Sequence, residues 1–350
     1  MKALVWTEGR KLELCEMPEP IIVSANDVKV EIHMTGICGT DLAVITGKEE
    51  GVAGIIRGHE AVGIVVEVGD NVQQLSIGDR VVIDPNQSCG ECYYCNRDNP
   101  HLCVGSDGSG MPIAGLNRQG TFARYFVCDK RFIHKLDDGM SWEAAVLIEP
   151  LACVLHNFEA ARVTSEETVL VLGSGPMGML CQYVSTHKTR VTVATEVNPY
   201  RLSRAQEIAD LACSPDQLHA SMLEGLTQNG KFDVVIDTVG NQLEMAERWI
   251  DRGGRMIAFG INAKYEYTCK PTKMIQNAIQ LIGAGEYRYK FEEAIQFAKE
   301  HPELQGIVTK KYNLEDCDAA VGELLESSRV TDKGVISPVS QTLKTVFVFE

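Results

Sequence analysis

The chain has 350 residues, 45% of them hydrophobic and 31 of them glycine. This composition fits a globular protein long enough for two packed domains and excludes a disordered or fibrous chain. Its 33 basic and 48 acidic side chains give a formal net charge of −15, which would repel phosphate backbones and anionic lipids, so we expect neither nucleic acid nor a membrane as a partner.

The N-terminal residues lack the apolar segment of a secretion signal. No run of about 18 apolar residues is present that could cross a bilayer. We therefore expect a cytoplasmic protein, in a compartment where thiols stay reduced. In that setting the 12 cysteines indicate metal ligands and isolated thiols rather than disulfides.

Short β-branched runs separated by glycine turns dominate the first part of the chain. Strands are predicted at 27–32, 63–68, 79–83 and 122–127. This pattern predicts an all-β domain folded as a partly closed barrel. Ser141 then precedes a helical pattern as its N-cap, and a second helix is predicted over 150–161.

Four cysteines share one polar loop that contains a glycine: Cys89, Cys92, Cys95 and Cys103. Their close spacing allows one tetrahedral zinc ion to bind all four thiolates, and a site filled in this way has no position for substrate. The sequence therefore predicts a structural zinc site in a lobe spanning 86–105.

A second set of metal-binding side chains lies upstream of this lobe, at Cys38 and at the adjacent His59 and Glu60. They cannot join a closed four-thiolate site, so they must serve a different one. A thiolate, an imidazole and a carboxylate at this spacing meet only through the fold. We expect an open metal site here, although a lone Cys or His is more often a core residue.

The chain beyond residue 160 alternates apolar strands with helical patterns, which predicts a parallel sheet covered on both faces. A strand at 168–172 runs into Gly173-Ser-Gly175-Pro176-Met177-Gly178, and a helix is predicted over 177–186. The glycines of such a loop allow the turn, the approach of backbone to a pyrophosphate and close helix packing. We predict that this loop binds a dinucleotide.

The next strand is predicted at 190–195, and Glu196 lies at its end. A carboxylate at this point accepts hydrogen bonds from the ribose 2′-hydroxyl and repels a 2′-phosphate. NAD is therefore the expected cofactor and NADP the less favoured one, although Arg201 nearby weakens the preference. The alternative is an ordinary tight turn, with Glu196 as a solvated strand end.

The pattern of the C-terminal part predicts a helix over 291–299, a short strand at 307–308, a helix over 318–326 and a strand over 344–349. This tail is expected to return to the first domain.

Several motifs together resemble those of zinc-containing medium-chain dehydrogenases. Gly58-His59-Glu60-Ala-Val-Gly63 resembles the family signature, and Gly36-Ile-Cys38-Gly-Thr40-Asp41 resembles the family's first zinc-ligand loop. The cysteine lobe and the glycine loop follow in the family's order. The resemblance implies an α/β protein in which a GroES-like catalytic domain, residues 1–153 and 286–350, accompanies a Rossmann coenzyme domain, residues 154–285.

The segment Leu147-Ile-Glu149-Pro150-Leu151 resembles the one in sorbitol dehydrogenase and similar polyol dehydrogenases, at a position where alcohol dehydrogenases have a second zinc-binding cysteine. The resemblance implies a catalytic zinc held by Cys38, His59 and Glu60. Glu149 is then either a ligand or hydrogen-bonded to the zinc water, and which of the two glutamates binds the metal stays open. Cys153 is expected to pack rather than to bind metal. Two zinc ions per chain are thus expected.

In this family a hydroxyl at the position of Thr40 touches the substrate oxygen and begins a proton relay. The alternative for Thr40 is to cap a helix that begins with Asp41. Several alcohol dehydrogenases have a histidine five residues after the zinc cysteine, but this chain has Ala43 there. The proton must therefore leave through water, the ribose or Glu149.

These motifs lead to one preferred function and two alternatives. We expect NAD-dependent oxidation of a secondary alcohol to a ketone, in a polyol, sugar alcohol or cyclitol that includes amino- or phosphate-bearing forms. Threonine dehydrogenases share the motifs, so a hydroxy-amino acid is the second candidate, and a non-catalytic zinc- and nucleotide-binding protein is the third. Relatives commonly form homodimers or homotetramers, and residues 273–283 carry apolar side chains suited to such a contact.

Overall fold

The computed structural model describes residues 1–327 and 341–349. Within these ranges, no helix combines the length and the apolar character needed to cross a membrane. The contacts divide the chain into two compact units: Met1–Ala152, Arg288–Gly322 and Lys344–Glu350 form the first, and Cys153–Tyr287 and Glu323–Leu343 form the second. The predicted first domain, residues 1–153 and 286–350, also included Cys153, residues 286–287, residues 323–327 and residues 341–343, which the contacts group with the second unit.

The chain up to residue 160 is mostly β-structure. Its strands are β1 Lys2–Trp6, β2 Leu12–Glu16, β3 Asp27–Gly36, β4 Ile55–Ile56, β5 Glu60–Val68, β6 Arg80–Ile83, β7 Tyr125–Asp129 and β8 Ile133–Lys135, and its helices are α1 Gly39–Ile45, α2 Trp142–Ala145 and α3 Ile148–Ala160. The strand predicted at 122–127 begins later, as β7. The reason is that Phe122 exchanges backbone hydrogen bonds with Leu4 and Arg57 instead of pairing with β3.

The middle of the chain alternates strands and helices. In order these are β9 Thr168–Leu172, α4 Pro176–Lys188, β10 Val191–Thr195, α5 Pro199–Gln206, β11 Leu211–Cys213, β12 Phe232–Asp237, α6 Leu243–Trp249, β13 Ile250–Ala258, α7 Pro271–Asn277 and β14 Gln280–Ile282. The C-terminal part adds α8 Phe291–Glu300, β15 Val308–Tyr312, α9 Cys317–Ser327 and β16 Lys344–Val348.

Strand β3 pairs with three strands of the larger sheet of the first unit. The strand order of this sheet is β15-β16-β3-β5-β6-β8, and β7 also pairs with β3. On one side Val346 of β16 lies opposite Gly36 at the end of β3, and on the other side Glu60 of β5 lies opposite the same glycine. Both pairings are antiparallel. The C-terminal strand and the His59-Glu60 segment are thereby brought to one end of β3.

The second unit contains a six-stranded sheet in the order β11-β10-β9-β12-β13-β14, and its neighbouring strands are parallel. Every residue of β9 and of β10 is buried, as expected for a parallel sheet covered by helices on both faces. The predicted α/β fold class, with a β-rich unit and a Rossmann-type parallel sheet, is confirmed.

Candidate active site and zinc sites

The four cysteines of the lobe converge on one point. Their Sγ atoms lie 3.6 Å apart for Cys92 and Cys95, 3.5 Å for Cys103 and Cys89, and 4.0 Å for Cys89 and Cys95. All four cysteines are free thiols rather than disulfides. A tetrahedral zinc with Zn–S bonds of about 2.3 Å requires sulfur atoms roughly 3.8 Å apart. The lobe therefore fits a closed four-thiolate zinc site.

Backbone N–H groups point at these sulfur atoms. Cys103 Sγ accepts hydrogen bonds from the N–H groups of Cys89 and Gly105, each at 3.3 Å. Backbone hydrogen bonds, above all that of Cys95, lower the pKa of Cys92 to about 6, whereas burial and the neighbouring thiols raise the pKa of Cys95 to about 12. Four adjacent thiolates repel one another, so a bound cation is what would allow all of them to ionise.

A second donor set lies elsewhere in the first unit. One ligand atom each from Cys38, His59 and Glu60 falls within 4.8 Å of the others. Cys38 follows β3 as the N-cap of α1, His59 comes directly before β5, and Glu60 is the first residue of that strand. The fold thus brings the Cys38 thiolate to the imidazole and carboxylate of a segment that is distant from it in sequence.

The Cys38 loop is held by a buried ion pair. Asp41 Oδ2 accepts the backbone N–H of Cys38 at 3.0 Å, and Asp41 Oδ1 pairs with Arg57 Nη2 at 3.0 Å. The side chains of Asp41 and Arg57 are 1% and 3% exposed. Arg57 thus neutralises the carboxylate that orients the metal-binding loop.

The electrostatics of this donor set favour a cation. Burial alone would lower the pKa of His59, but the Cys38 thiolate, followed by the Asp41 and Glu149 carboxylates, raises it to about 10. His59 Nδ1 and Glu60 Oε1 are buried and have no hydrogen-bond partner among the described residues. Buried polar atoms without partners are costly unless a ligand satisfies them. The residues present therefore fit a divalent metal ion.

Glu149 lies in the first turn of α3 and is buried. It is close enough to influence the pKa of His59 and of Lys344, yet it is not one of the three residues whose ligand atoms lie within 4.8 Å of one another. The structure therefore brings Cys38, His59 and Glu60 together and leaves Glu149 just outside that set.

Lys344 also belongs to this site, and sequence reasoning missed it. Its ammonium forms an ion pair with Glu60 Oε2, and both side chains are almost completely buried. Burial would lower the pKa of Lys344, but Glu60, and then Cys38 and Glu149, raise it. The available signal was a lysine at the start of the otherwise uncharged strand β16.

The surroundings of Thr40 remove one of its two interpretations. Helix α1 begins at Gly39 with Cys38 as its N-cap, so Thr40 lies inside the first turn and does not cap the helix. Its Oγ1 is buried and has no hydrogen-bond partner among the described residues. A hydroxyl in this state is available to a ligand.

The glycine loop of the second unit has the conformation that a pyrophosphate requires. Gly173 has φ +92°, and a Cβ there would meet Val239 Cγ2 at 2.6 Å, while a Cβ on Gly178 would collide with the carbonyl of Gly173. A Cβ on Gly175 would meet only Arg201 Nη1, at 3.7 Å. Pro176 and Met177 begin α4, whose first turn carries no acidic residue. The free N–H groups of this helix start therefore favour an anion.

The carboxylate of Glu196 is already engaged by backbone. Its Oε2 accepts the N–H of Ser174 at 2.7 Å, and its Oε1 accepts the N–H groups of Val197 and Asn198, each at 2.8 Å. Because a carboxylate offers about four acceptor sites, one remains for a ribose hydroxyl. The sequence did not reveal this second role, in which Glu196 fixes the glycine loop.

Arg201 lies in α5 and its guanidinium is directed toward the same loop. Its Nε donates to the carbonyl of Thr342 at 3.2 Å. Burial lowers the pKa of Arg201, and the charge of Glu196 opposes that effect.

Comparison with known proteins identifies the family. The GroES-like domain of alcohol dehydrogenases matches residues 24–138, and the zinc-binding dehydrogenase domain matches residues 178–300. Sorbitol dehydrogenase of Bacillus subtilis (strain 168) is 26% identical over 97% of both chains. D-arabinitol dehydrogenase 1 of Uromyces fabae is 28% identical over 97% of both chains. L-threonine 3-dehydrogenase of Shewanella baltica (strain OS185) is 30% identical over 90% of this chain and 94% of its own.

Solved structures share the fold. A zinc-binding dehydrogenase of Sinorhizobium meliloti 1021 bound to NADP superposes with a TM-score of 0.87, 21% identity and 99% coverage of both chains. An alcohol dehydrogenase of Escherichia coli CFT073 complexed with NADH gives a TM-score of 0.85 and 23% identity, covering 100% of this chain and 99% of its own. The sequence matches extend over nearly the whole chain and include both the cysteine lobe and the glycine loop, so the chain belongs to the family of zinc-containing medium-chain dehydrogenases.

Proposed function

We propose that this protein oxidises a secondary alcohol of a polyol, sugar alcohol or cyclitol to a ketone, with NAD as the hydride acceptor and a catalytic zinc as Lewis acid. The observation that carries the proposal is the buried convergence of Cys38, His59 and Glu60, whose imidazole and carboxylate retain polar atoms without hydrogen-bond partners. A purely structural protein has no use for such an open donor set beside a separate four-cysteine site.

The roles of the residues follow from their chemistry. Zinc held by three protein ligands keeps one open position and lowers the pKa of a bound hydroxyl toward neutrality. Cys38, His59 and Glu60 supply the ligands, and Glu149 stands beside them as a further ligand or as the hydrogen-bond acceptor of a zinc-bound water. The Thr40 hydroxyl would accept the proton of the substrate alcohol and pass on its own proton. With Ala43 unable to relay that proton, it passes to water, to the ribose or to Glu149.

NAD is the proposed cofactor, and when bound it would supply the acceptor for the hydride of the alcohol carbon. Gly173 allows the turn, Gly178 allows close packing of α4 against that turn, and the open side of Gly175 would leave room for its pyrophosphate, while the N-terminus of α4 favours the negative charge. The carboxylate of Glu196 disfavours a 2′-phosphate, which supports NAD over NADP. Arg201 is the residue that a 2′-phosphate would use if this preference were weak.

The substrate class rests on two supports: the Glu149-Pro150 segment and the similarity to dehydrogenases named for sorbitol and D-arabinitol. Threonine is the second candidate, and it is favoured by the 30% identity to the L-threonine 3-dehydrogenase of Shewanella baltica (strain OS185). Domain roles are part of the proposal: residues 1–153 and 286–350 as the catalytic domain, and residues 154–285 as the coenzyme domain.

A cytoplasmic homodimer or homotetramer is proposed as the working form. The support is the edge strand β14, where Leu281 is 41% exposed, and the preceding helix, where Ile275 is 79% exposed. Exposed apolar side chains beside an unpaired strand edge are suited to a contact with a second copy. The net charge of −15 argues against nucleic acid as a partner.

The experiment is a spectrophotometric assay of NAD reduction over a panel of polyols, inositols, amino-cyclitols, sugar phosphates and threonine. Formation of NADH with a polyol or cyclitol supports the proposal. Activity with threonine alone moves the protein to the second candidate. One zinc ion per chain together with inactivity across the panel favours the non-catalytic alternative or a substrate outside the panel.

A further inference from the structure

Lys344 stands out among the lysines because it is buried beside the proposed catalytic metal. Only 4% of its side chain and 1% of the Glu60 side chain are exposed, and the two form an ion pair. Burial penalises this ammonium, and the neighbouring anionic Glu60 offsets the penalty. Because Lys344 pairs with Glu60, any effect of the lysine on the metal site acts through that residue.

The space for this pair is provided by Gly36. A Cβ at this position would collide with Glu60 Oε2 and would lie 2.8 Å from Lys344 Cε. Gly36 is opposite Glu60 in one strand pairing and opposite Val346 in the other. Strands β16, β3 and β5 thus leave a space beside Gly36 at the end of β3. The ion pair between Lys344 and Glu60 fills this space.

The two oxygens of Glu60 differ in their surroundings. Oε2 forms the ion pair with Lys344, whereas Oε1 is the oxygen outside that pair, and neither oxygen has a hydrogen bond of regular geometry among the described residues. A carboxylate with both oxygens free can bind a metal through both of them and so occupy an additional coordination position.

We propose that Lys344 is a positioning residue: it holds Oε2 of Glu60 and restricts this glutamate to one oxygen, Oε1, at the metal. The fourth coordination position of the metal therefore stays open for the substrate alcohol. The inference rests on the proposed catalytic zinc but not on the polyol substrate class.

The test replaces Lys344 with methionine, which preserves most of the side-chain volume and removes the charge. Lys344→Met should lower kcat about 10- to 100-fold, the usual effect of losing a residue that supports a metal ligand. Metal retention against a chelator should be undiminished, because a repelling cation is removed and Glu60 gains a second contact. The visible absorption of the cobalt(II)-substituted protein should shift toward a higher coordination number, and Lys344→Arg should restore the wild-type spectrum.

Lys29→Met is the matched control. Lys29 is another buried lysine of the first unit and pairs with Glu19 at 2.5 Å, but it has no contact with the metal-binding residues. This variant should keep the wild-type cobalt spectrum, metal retention and turnover. The cobalt spectrum needs no substrate, so a wrong substrate class leaves the test intact. Absence of the second zinc from the wild-type protein would instead count against the proposed function itself.

Two results overturn the inference. One is a Lys344→Met protein with wild-type spectrum and turnover, and the other is loss of metal in parallel with activity, which indicates a merely stabilising lysine. If Lys344→Met fails to fold, the comparison is made between Glu60→Gln and Glu60→Gln/Lys344→Met, whose spectra should agree because the lysine acts through the carboxylate. A spectral difference between these two variants also overturns the inference.

Discussion

Glu196 Oε2 accepts a hydrogen bond from the backbone N–H of Ser174 at 2.7 Å. The end of strand β10 is thereby tied to the glycine loop that follows β9. The residue proposed to select the ribose is thus also a residue that holds the pyrophosphate loop in place. These two roles can be separated by measuring the affinity of the protein for NAD and for NADP.

Replacement of Glu196 with alanine should weaken NAD binding about 5- to 150-fold. The expected loss corresponds to about 1–3 kcal/mol, because buried backbone N–H groups lose their acceptor. Binding of NADP should weaken less, since the carboxylate no longer repels the 2′-phosphate. Both affinities can be measured by calorimetric titration.

Asp210→Ala is the control for this variant. Asp210 Oδ2 likewise accepts a backbone N–H, that of Thr192 at 2.8 Å, but in a segment away from the glycine loop. Its replacement should leave both affinities unchanged. An equal loss of NAD and NADP in Glu196→Ala would mean that Glu196 supports the loop without reading the ribose.

Removal of the guanidinium of Arg57 should destabilise the fold. Arg57→Met leaves the Asp41 carboxylate buried without its partner, which typically costs about 3–5 kcal/mol of unfolding free energy. Arg124→Met breaks a pair with Glu31 in which both side chains are substantially exposed, and should cost about 1 kcal/mol or less. Urea unfolding of both variants gives the comparison, and similar losses would contradict the buried-pair account.

Removal of the Thr40 hydroxyl should impair turnover. Thr40→Ala should reduce kcat by about 10²- to 10⁴-fold, the range expected when a group that transfers a proton is lost. NAD affinity and zinc content should not change, and Thr40→Ser should keep most of the activity. Thr46→Ala, whose hydroxyl bonds to the carbonyl of Leu42 in the same helix, should behave like the wild type. A fully active Thr40→Ala would remove Thr40 from the proton path.

Features that depend on local sequence could be predicted, and features that depend on distant partners could not. The strand Thr168–Leu172 and the glycine loop after it are local, as is the spacing of the four lobe cysteines. The pair of Lys344 with Glu60 joins distant parts of the chain, and the local sign of it is one lysine in an otherwise uncharged strand. The backbone bonds of Glu196 depend on loop conformation rather than on residue type.

The lobe zinc and the proposed catalytic zinc should be separable by substitution. Cys92→Ser should remove the lobe zinc and lower the melting temperature, because a structural metal contributes its binding free energy to folding. The other zinc should remain bound. Zinc quantification together with a thermal melt checks this, and a Cys92→Ser protein with two zinc ions per chain and an unchanged melting temperature would contradict a structural site.

The central claim is that Cys38 helps to hold a catalytic metal, and the most direct measurement is the zinc content and turnover of Cys38→Ser beside the wild type. Cys153→Ala serves as the control, because Cys153 is expected only to pack. We predict two zinc ions per chain in the wild type and in Cys153→Ala, and one in Cys38→Ser with an intact fold and no turnover. Two zinc ions and full activity in Cys38→Ser would contradict the account.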